Sequence, residues 1–187
     1  MRPAFFLFLL CLALPATAAE WTLEQLLSGF AARTSSDKRF TELKTLGILN
    51  EPLKLTGTLS YAVPGHLEKT IRTPNEERYV VDGDTLLVEN KARNISRGIS
   101  LQSQPAIWAF VESFRATLAG DAATLRRFYT LQLSGDRQKW ELVLTPQQAG
   151  MAKMVSRIAI KGRADQIASI EIVEVNGDRS LMTIEER

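Results

Sequence analysis

Leu53-Lys54-Leu55-Thr56-Gly57-Thr58-Leu59-Ser60-Tyr61-Ala62-Val63-Pro64-Gly65-His66-Leu67 is the stretch on which the reading of the chain turns. Leu55, Gly57, Leu59, Tyr61 and Val63 fall on one face and Thr56, Thr58 and Ser60 on the other. That period of two predicts a strand with one buried face. Pro64-Gly65 ends it as a turn pair, since proline presets one φ and glycine supplies the positive one. A second run, Leu67 to Arg72, follows and stops at Thr73-Pro74-Asn75. Asp82-Gly83 then separates Arg78–Val81 from Thr85–Val88, a short-range hairpin signal. Four short strands in an antiparallel meander are expected here.

Upstream, Thr22 and Gln25 have capping-box spacing, with Trp21 and Leu26 in the flanking staple positions. Leu23, Leu26, Leu27 and Phe30 recur at helical spacing, so a helix is expected over about residues 22–33. Lys38 to Leu46, with Phe40, Leu43 and Leu46 apolar, reads as a strand. Downstream, Ile95 to Leu101 is a weaker strand. Pro105 suits a first helical turn, where a missing N–H removes no bond. Ile107, Phe110, Val111, Phe114 and Leu118 then form a helical stripe that ends at Gly120, and Asp121 caps a short helix over Ala122–Arg127. From Phe128 the period of two returns. Turns are expected at Ser134-Gly135-Asp136, Lys161-Gly162 and Asn176-Gly177-Asp178, one helical turn within Gln147–Lys153, and strands over Ser156–Ile160, Ile167–Val175 and Ser180–Ile184. The sum is ten or eleven strands and two well-supported helices. An antiparallel sheet that wide curls toward a barrel or half-barrel. The helical stripes need its concave side for burial.

Residues 1–19 read as a cleaved secretory leader: Met1-Arg2, an apolar run over Phe5–Leu14, then small residues to Ala19. The run is too short to span a membrane, and no other stretch approaches the roughly 20 apolar residues a span requires. The one cysteine, Cys11, lies inside the leader, and Leu10 before it argues against a lipid anchor. Residues 20–187 are expected to be a single domain without disulfides, exported to the periplasm. Of 23 basic side chains Arg2 alone goes with the leader, which leaves 22 against 21 acidic. So even a balance gives no case for nucleic acid.

Chemistry is sparse. One histidine and no cysteine past the leader leave no zinc site, and neither metal nor cofactor is expected. His66 follows a turn pair and reads as solvent-facing, with no Gly-x-Ser-x-Gly elbow to serve. Asp82, Asp84 and Asp178 fit hairpin turns and not a calcium loop. Glu171 and Glu174 point to opposite faces of a strand, poor geometry for acid–base work. Asn94-Ile95-Ser96 is a glycosylation sequon without meaning in a bacterial source. The expectation is a protein that is not an enzyme.

Several fragments in order carry a resemblance: Phe40-Thr41-Glu42-Leu43-Lys44, Gly57-Thr58-Leu59-Ser60-Tyr61, Pro64-Gly65-His66-Leu67-Glu68-Lys69, Pro74-Asn75-Glu76, Val81-Asp82-Gly83-Asp84, Leu118-Ala119-Gly120-Asp121 and Trp140-Glu141-Leu142-Val143-Leu144-Thr145-Pro146. Together they resemble the LolA family of periplasmic outer-membrane lipoprotein carriers, and more closely the LolA-like proteins that accompany lipid-export systems. The resemblance implies a mainly β, α+β fold: an incomplete antiparallel β-barrel of about eleven strands, with helices lidding an apolar cavity for acyl chains. It implies a carrier that moves a lipoprotein or lipid from inner to outer membrane, between an inner-membrane exporter and an outer-membrane acceptor, as a monomer without stable membrane insertion. The candidate cavity wall is Leu59, Tyr61, Leu67, Trp140, Leu142, Leu144, Ile158, Ile160, Ile170 and Ile172, and the candidate lid is Trp108, Phe110, Val111 and Phe114. One position departs from the pattern. Lipoprotein carriers place an arginine just before the proline of the second strand turn, where it helps close the lid; this chain has Val63. A lipid or pigment–lipid conjugate is therefore an alternative cargo to a triacylated lipoprotein. The alternative function is a regulatory, RseB-like module that senses lipid or lipoprotein, which calls for a second domain that residues 20–187 leave no room for.

Overall fold

The computed structural model of the chain describes residues 21–186, so the leader and Cys11 lie outside the described residues. The elements run α1 (Leu23–Ala31), β1 (Ser35–Thr45), β2 (Leu53–Ala62), β3 (His66–Thr73), β4 (Glu77–Asp82), β5 (Thr85–Asn90), β6 (Ile95–Ser100), α2 (Pro105–Leu118), α3 (Ala122–Phe128), β7 (Tyr129–Asp136), β8 (Lys139–Pro146), α4 (Ala149–Ala152), β9 (Val155–Arg163), β10 (Gln166–Glu174) and β11 (Arg179–Glu186). The eleven strands make one antiparallel sheet in the order β6-β5-β4-β3-β2-β1-β11-β10-β9-β8-β7. Every neighbouring pair is also consecutive in sequence except β1 and β11, which set Phe40 opposite Ile184 and Glu42 opposite Met182. The edge strands β6 and β7 are not hydrogen-bonded to each other. The chain between them, Leu101 to Phe128, contains α2 and α3. This is the incompletely closed sheet of about eleven strands, with a few helices, that the sequence predicts.

The helices are fixed locally by their ends. Thr22 and Gln25 make the expected capping box: Thr22 Oγ1 accepts from Gln25 N at 3.3 Å, and Gln25 Oε1 accepts from Thr22 N at 3.1 Å. Asp121 Oδ1 accepts from Thr124 N at 3.0 Å and starts α3. Between α2 and α3, Gly120 sits at φ +69, with Gly120 N bonding Thr117 O and Asp121 N bonding Ala116 O. That paired pattern closes a helix through a left-handed residue. A Cβ on Gly120 would also lie 2.4 Å from Leu27 O in α1, so the same residue lets the two helices touch.

Packing gives three clusters, of which the third, Val81, Leu101 and Val111, joins β4 to α2. Leu26, Leu27 and Phe30 of α1, Leu125 and Phe128 of α3, Met151 of α4, and Trp140, Leu142, Leu144 and Ile158 of β8 and β9 form one continuous core. Phe40, Leu55 and Ile71 form a smaller cluster on β1–β3, extended by Leu53, Leu59, Tyr79 and Met182, all from strands.

Some expectations shift. β1 starts at Ser35 and turns Phe40 and Glu42 inward, leaving Leu43 42% exposed, because the buried Glu42 carboxylate has partners inside. β2 ends at Ala62, so Val63 lies beyond it and is 52% exposed, not on the buried face. Ser134, Gly135 and Asp136 belong to β7; the reversal follows them, where Asp136 Oδ1 accepts from Gln138 N and Lys139 N at 2.7 and 2.9 Å. Gly162 is likewise inside β9, opposite Trp140, where a Cβ would come within 2.4 Å of the indole ring. The glycine there makes room for an aromatic ring and the turn falls later, at Ala164-Asp165.

Replacing Gly120 by Ala forces a side chain into left-handed backbone and against α1. It is expected to cost about 2 kcal/mol, more than the ordinary loss of roughly 1 kcal/mol at an incompatible glycine. Gly150, within α4 and with no atom near a built Cβ, is the contrast: Gly150→Ala is expected to stabilise by roughly 0.5–1 kcal/mol. Urea unfolding of both variants checks the pair.

Candidate functional site

α2 presents two different stripes. Ala109, Ser113, Ala116 and Thr117 are small and buried, and they let the helix lie close to its neighbours. Ser113 Oγ donates to Ala109 O at 2.6 Å and Thr117 Oγ1 to Ser113 O at 2.7 Å, so the hydroxyls spend their bonding on the helix itself. Phe110, Val111, Phe114 and Leu118 form the second stripe. They face a cavity of about 320 Å³ bounded on its other sides by the sheet and by Phe30 of α1. Phe110 and Phe114 meet edge to face, 4.9 Å between ring centres.

Strand register assembles the wall. Leu59 lies opposite Lys69 and Tyr61 opposite Leu67 across β2–β3; Val81 and Tyr79 continue those rows on β4. On the far side Ile160 lies opposite Ile170, and Ile170 opposite Met182. Of the predicted wall, Leu59, Tyr61, Leu67, Ile160, Ile170 and Ile172 line the cavity, as do Phe110, Val111 and Phe114 of the predicted lid.

Trp140, Leu142, Leu144, Ile158 and Trp108 do not line it. Trp140, Leu142, Leu144 and Ile158 are on the concave face as expected, but at most 2% exposed, under α1, α3 and α4. Trp140 packs edge to face on Phe30 and donates through Nε1 to Ala164 O at 2.8 Å. Trp108 turns to the other side of α2 and meets Phe128 edge to face, ring centres 5.5 Å apart. Sequence reasoning missed Phe30, Tyr79, Val81, Ile167, Met182 and Ile184 on the lining. Parity with Leu59 and Tyr61 through the two hairpins pointed to Tyr79 and Val81; nothing local pointed to Phe30.

The wall is not uniformly apolar. Glu42, 3% exposed, accepts from Lys69 Nζ and from Ser180 Oγ, both at 2.5 Å, and all three residues line the cavity. Burial pushes the Glu42 carboxyl up, but the Lys69 ammonium and the two hydrogen bonds outweigh it and hold the group below the usual carboxylate range. Beside it, Tyr79 donates to Glu77, and burial with that carboxylate pushes its phenol up to about 12. At another corner Arg33, in the connection between α1 and β1, holds Asp165 of the β9–β10 turn through Nε and a terminal nitrogen, at 3.1 and 2.7 Å.

A second contact joins the helix to the sheet. Arg115 of α2 donates to Gly65 O at 2.9 Å, to Gly83 O at 2.7 Å and to Glu112 Oε1 at 2.9 Å. It therefore grips both the β2–β3 and the β4–β5 turns. His66 is not a free turn residue: it opens β3, pairs with Ala62 and borders the groove at Arg115. Among the described residues no group of three or more His, Cys, Asp or Glu side chains is placed to hold a metal ion, and no helix is long and apolar enough to cross a membrane.

An open antiparallel sheet curled over an apolar cavity, with helices between its unpaired edges, defines the LolA/LolB-like class of half-barrel. The profile of the family described as outer membrane lipoprotein carrier protein LolA-like matches residues 13–184. The chain belongs to that family, and a periplasmic location agrees with the membership. Similar solved structures include a LolA superfamily protein from Nitrosomonas europaea, 9% identical, with 89% of this chain and 94% of that chain covered at a TM-score of 0.46. A putative outer membrane lipoprotein-sorting protein domain from Vibrio parahaemolyticus is 7% identical, over 87% and 88% of the two chains, at a TM-score of 0.45. A DUF1329 family protein from Desulfovibrio piger is 13% identical, over 87% and 88%, at 0.46. No curated protein matches the sequence significantly.

Because the Glu42 carboxyl is held low in the folded chain, the stability it contributes is present above the unfolded carboxylate value of about 4.3 and is lost as pH falls through the lower folded value. Glu42→Gln is therefore expected to be less stable than the wild type at pH 7, with the two thermal-unfolding curves converging as the pH is lowered into the acid range.

Proposed function

We propose that the protein is a periplasmic carrier that shields the acyl chains of a lipoprotein or lipid on its way from the inner to the outer membrane. The observation that carries this reading is the apolar cavity between α2 and the sheet, walled by Leu59, Tyr61, Ile170 and Ile172 and covered by Phe110 and Phe114. Carrying a fifteen-carbon chain through water requires roughly 12 kcal/mol of shielding, at about 0.8 kcal/mol per CH₂. A groove open to solvent does not supply that, and a covered apolar chamber does. At about 320 Å³ the chamber lies at the lower end of the roughly 300–1,000 Å³ typical of ligand sites. One chain is the natural load for the closed form, and more requires α2 to lift.

Arg115 is the latch in this reading. Lipoprotein carriers that resemble the chain supply an arginine from the sheet; here Val63 stands in that place, and the cation comes from the helix instead, bonding the carbonyl of Gly65 in the same turn. Loading exchanges the contacts of Phe110, Phe114 and Leu118 with the wall for contacts with hydrocarbon. No covalent step is involved, so the equilibrium between closed and loaded forms depends on the difference between those contacts.

Purified without detergent from a periplasmic extract, the protein is expected to carry acylated molecules that mass spectrometry of an organic extract detects. A clean extract together with a co-purifying membrane protein would favour the lipid-sensing module and overturn the carrier reading. Arg115→Met keeps the length of the side chain and removes both bonds to the turns. Since hydrogen bonds from a charged donor contribute about 1.5–3 kcal/mol each, an apolar fluorophore is expected to leave the variant at least about tenfold faster than the wild type in stopped flow.

A further inference from the structure

An ammonium group inside an apolar chamber has a cost, and its surroundings indicate what it is for. Lys69 extends from β3 toward β1, with its Nζ 5.0 Å above the ring of Phe40 and bonded to Glu42. Among the described residues Glu42 is its only hydrogen-bond acceptor, so the other two N–H donors of this cavity-lining ammonium have no protein acceptor. Leu59 and Tyr79 flank it on the neighbouring strands and Met182 lies beside Glu42, all on the cavity wall. Replacing a buried ion pair by apolar residues is often neutral or stabilising, so packing alone gives no reason for charge at this place.

Filling the chamber with an unbroken hydrocarbon would strip water from those two donors and leave them unsatisfied, a penalty that burial of polar groups always carries. A carboxylate or phosphate would satisfy them but would bring a second negative charge next to the Glu42 carboxylate. A neutral oxygen acceptor does neither. Building on the carrier reading, we propose that Lys69 is a specificity-determining residue for ligands that place a neutral carbonyl oxygen, that of an acyl ester or amide, against the Lys69–Glu42 pair. The hydrocarbon on either side of that oxygen lies along Leu59, Tyr79, Ile170 and Met182. Ser180 donates to the second oxygen of Glu42, which keeps the carboxylate turned toward Lys69.

The test uses the mature protein loaded with the apolar fluorophore N-phenyl-1-naphthylamine and competitors of matched chain length: methyl laurate, N-methyl lauramide, laurate and tridecane. The ester or the amide is expected to displace the fluorophore at about one-tenth the concentration needed for tridecane or laurate, the discrimination that one charged hydrogen bond gives. Lys69→Met alone leaves Glu42 buried without its cation, so the informative variant is the double replacement of Lys69→Met and Glu42→Gln. It is expected to keep the fluorophore and lose the preference. Amide above ester indicates an acylated-peptide source for the oxygen, and ester above amide a glycerolipid source; each supports the proposal. Equal displacement by methyl laurate and tridecane, laurate bound most tightly, or a preference that survives in the double variant overturns it while leaving the carrier reading intact. A wild-type protein that takes up neither fluorophore nor any competitor overturns both.

Discussion

The first and last strands pair in the middle of the sheet, and the architecture depends on that ladder. β1 to β6 and β7 to β11 are each meanders built from neighbours in sequence. Only the β1–β11 register, Lys38 opposite Glu186 through Thr45 opposite Arg179, joins them into one surface. Once they are joined, the right-handed twist of eleven strands brings β6 and β7 round without letting them pair. A concave face exists because of a contact between residues about 140 positions apart, and such contacts form late and slowly.

The two halves of the concave face are used differently. Over β7 to β9 the helices lie directly on the sheet, and Trp140, Leu142 and Leu144 are packed as tightly as any interior. Over β2 to β4 and β10 to β11 the cover is thinner: Val111 of α2 packs on Val81 and Leu67, while Phe110, Phe114 and Leu118 of α2 and Phe30 of α1 border the cavity. The small residues Ala109, Ser113 and Ala116 let α2 sit close to its helical neighbours, and the bulky ones on the next stripe reach toward the wall and the cavity. One helix thus anchors itself on its small-residue side and covers the cavity with its bulky one.

Most of the architecture was legible because strands declare themselves by parity and helices by caps. The four-strand meander, the capping box at Thr22 and the proline start of α2 needed no knowledge of the rest of the chain. Which inward residues meet a cavity and which meet a helix was not legible. Leu59 and Leu142 have the same pattern in sequence, and the difference between them lies in what covers each strand. Gly162 looked like a turn because the reason for the missing side chain, the Trp140 ring, sits on another strand. Glu42 and Lys69 were invisible for a related reason: a charge at an inward position reads as a flaw in the alternation until its partner, two strands away, is known.

The acceptors that Arg115 uses are main-chain oxygens, those of Gly65 and Gly83. Main-chain oxygens survive every amino-acid replacement, so the two hairpin tips can drift in sequence as long as they keep their shape. The mutational fragility of this clasp is concentrated in residue 115 and in Gly65, where a Cβ would come within 3.0 Å of Arg115 Nε. In comparing diverged relatives, the informative columns are therefore the one on the helix and the glycine beneath it, and variation elsewhere at the tips says little about whether the cover still fastens.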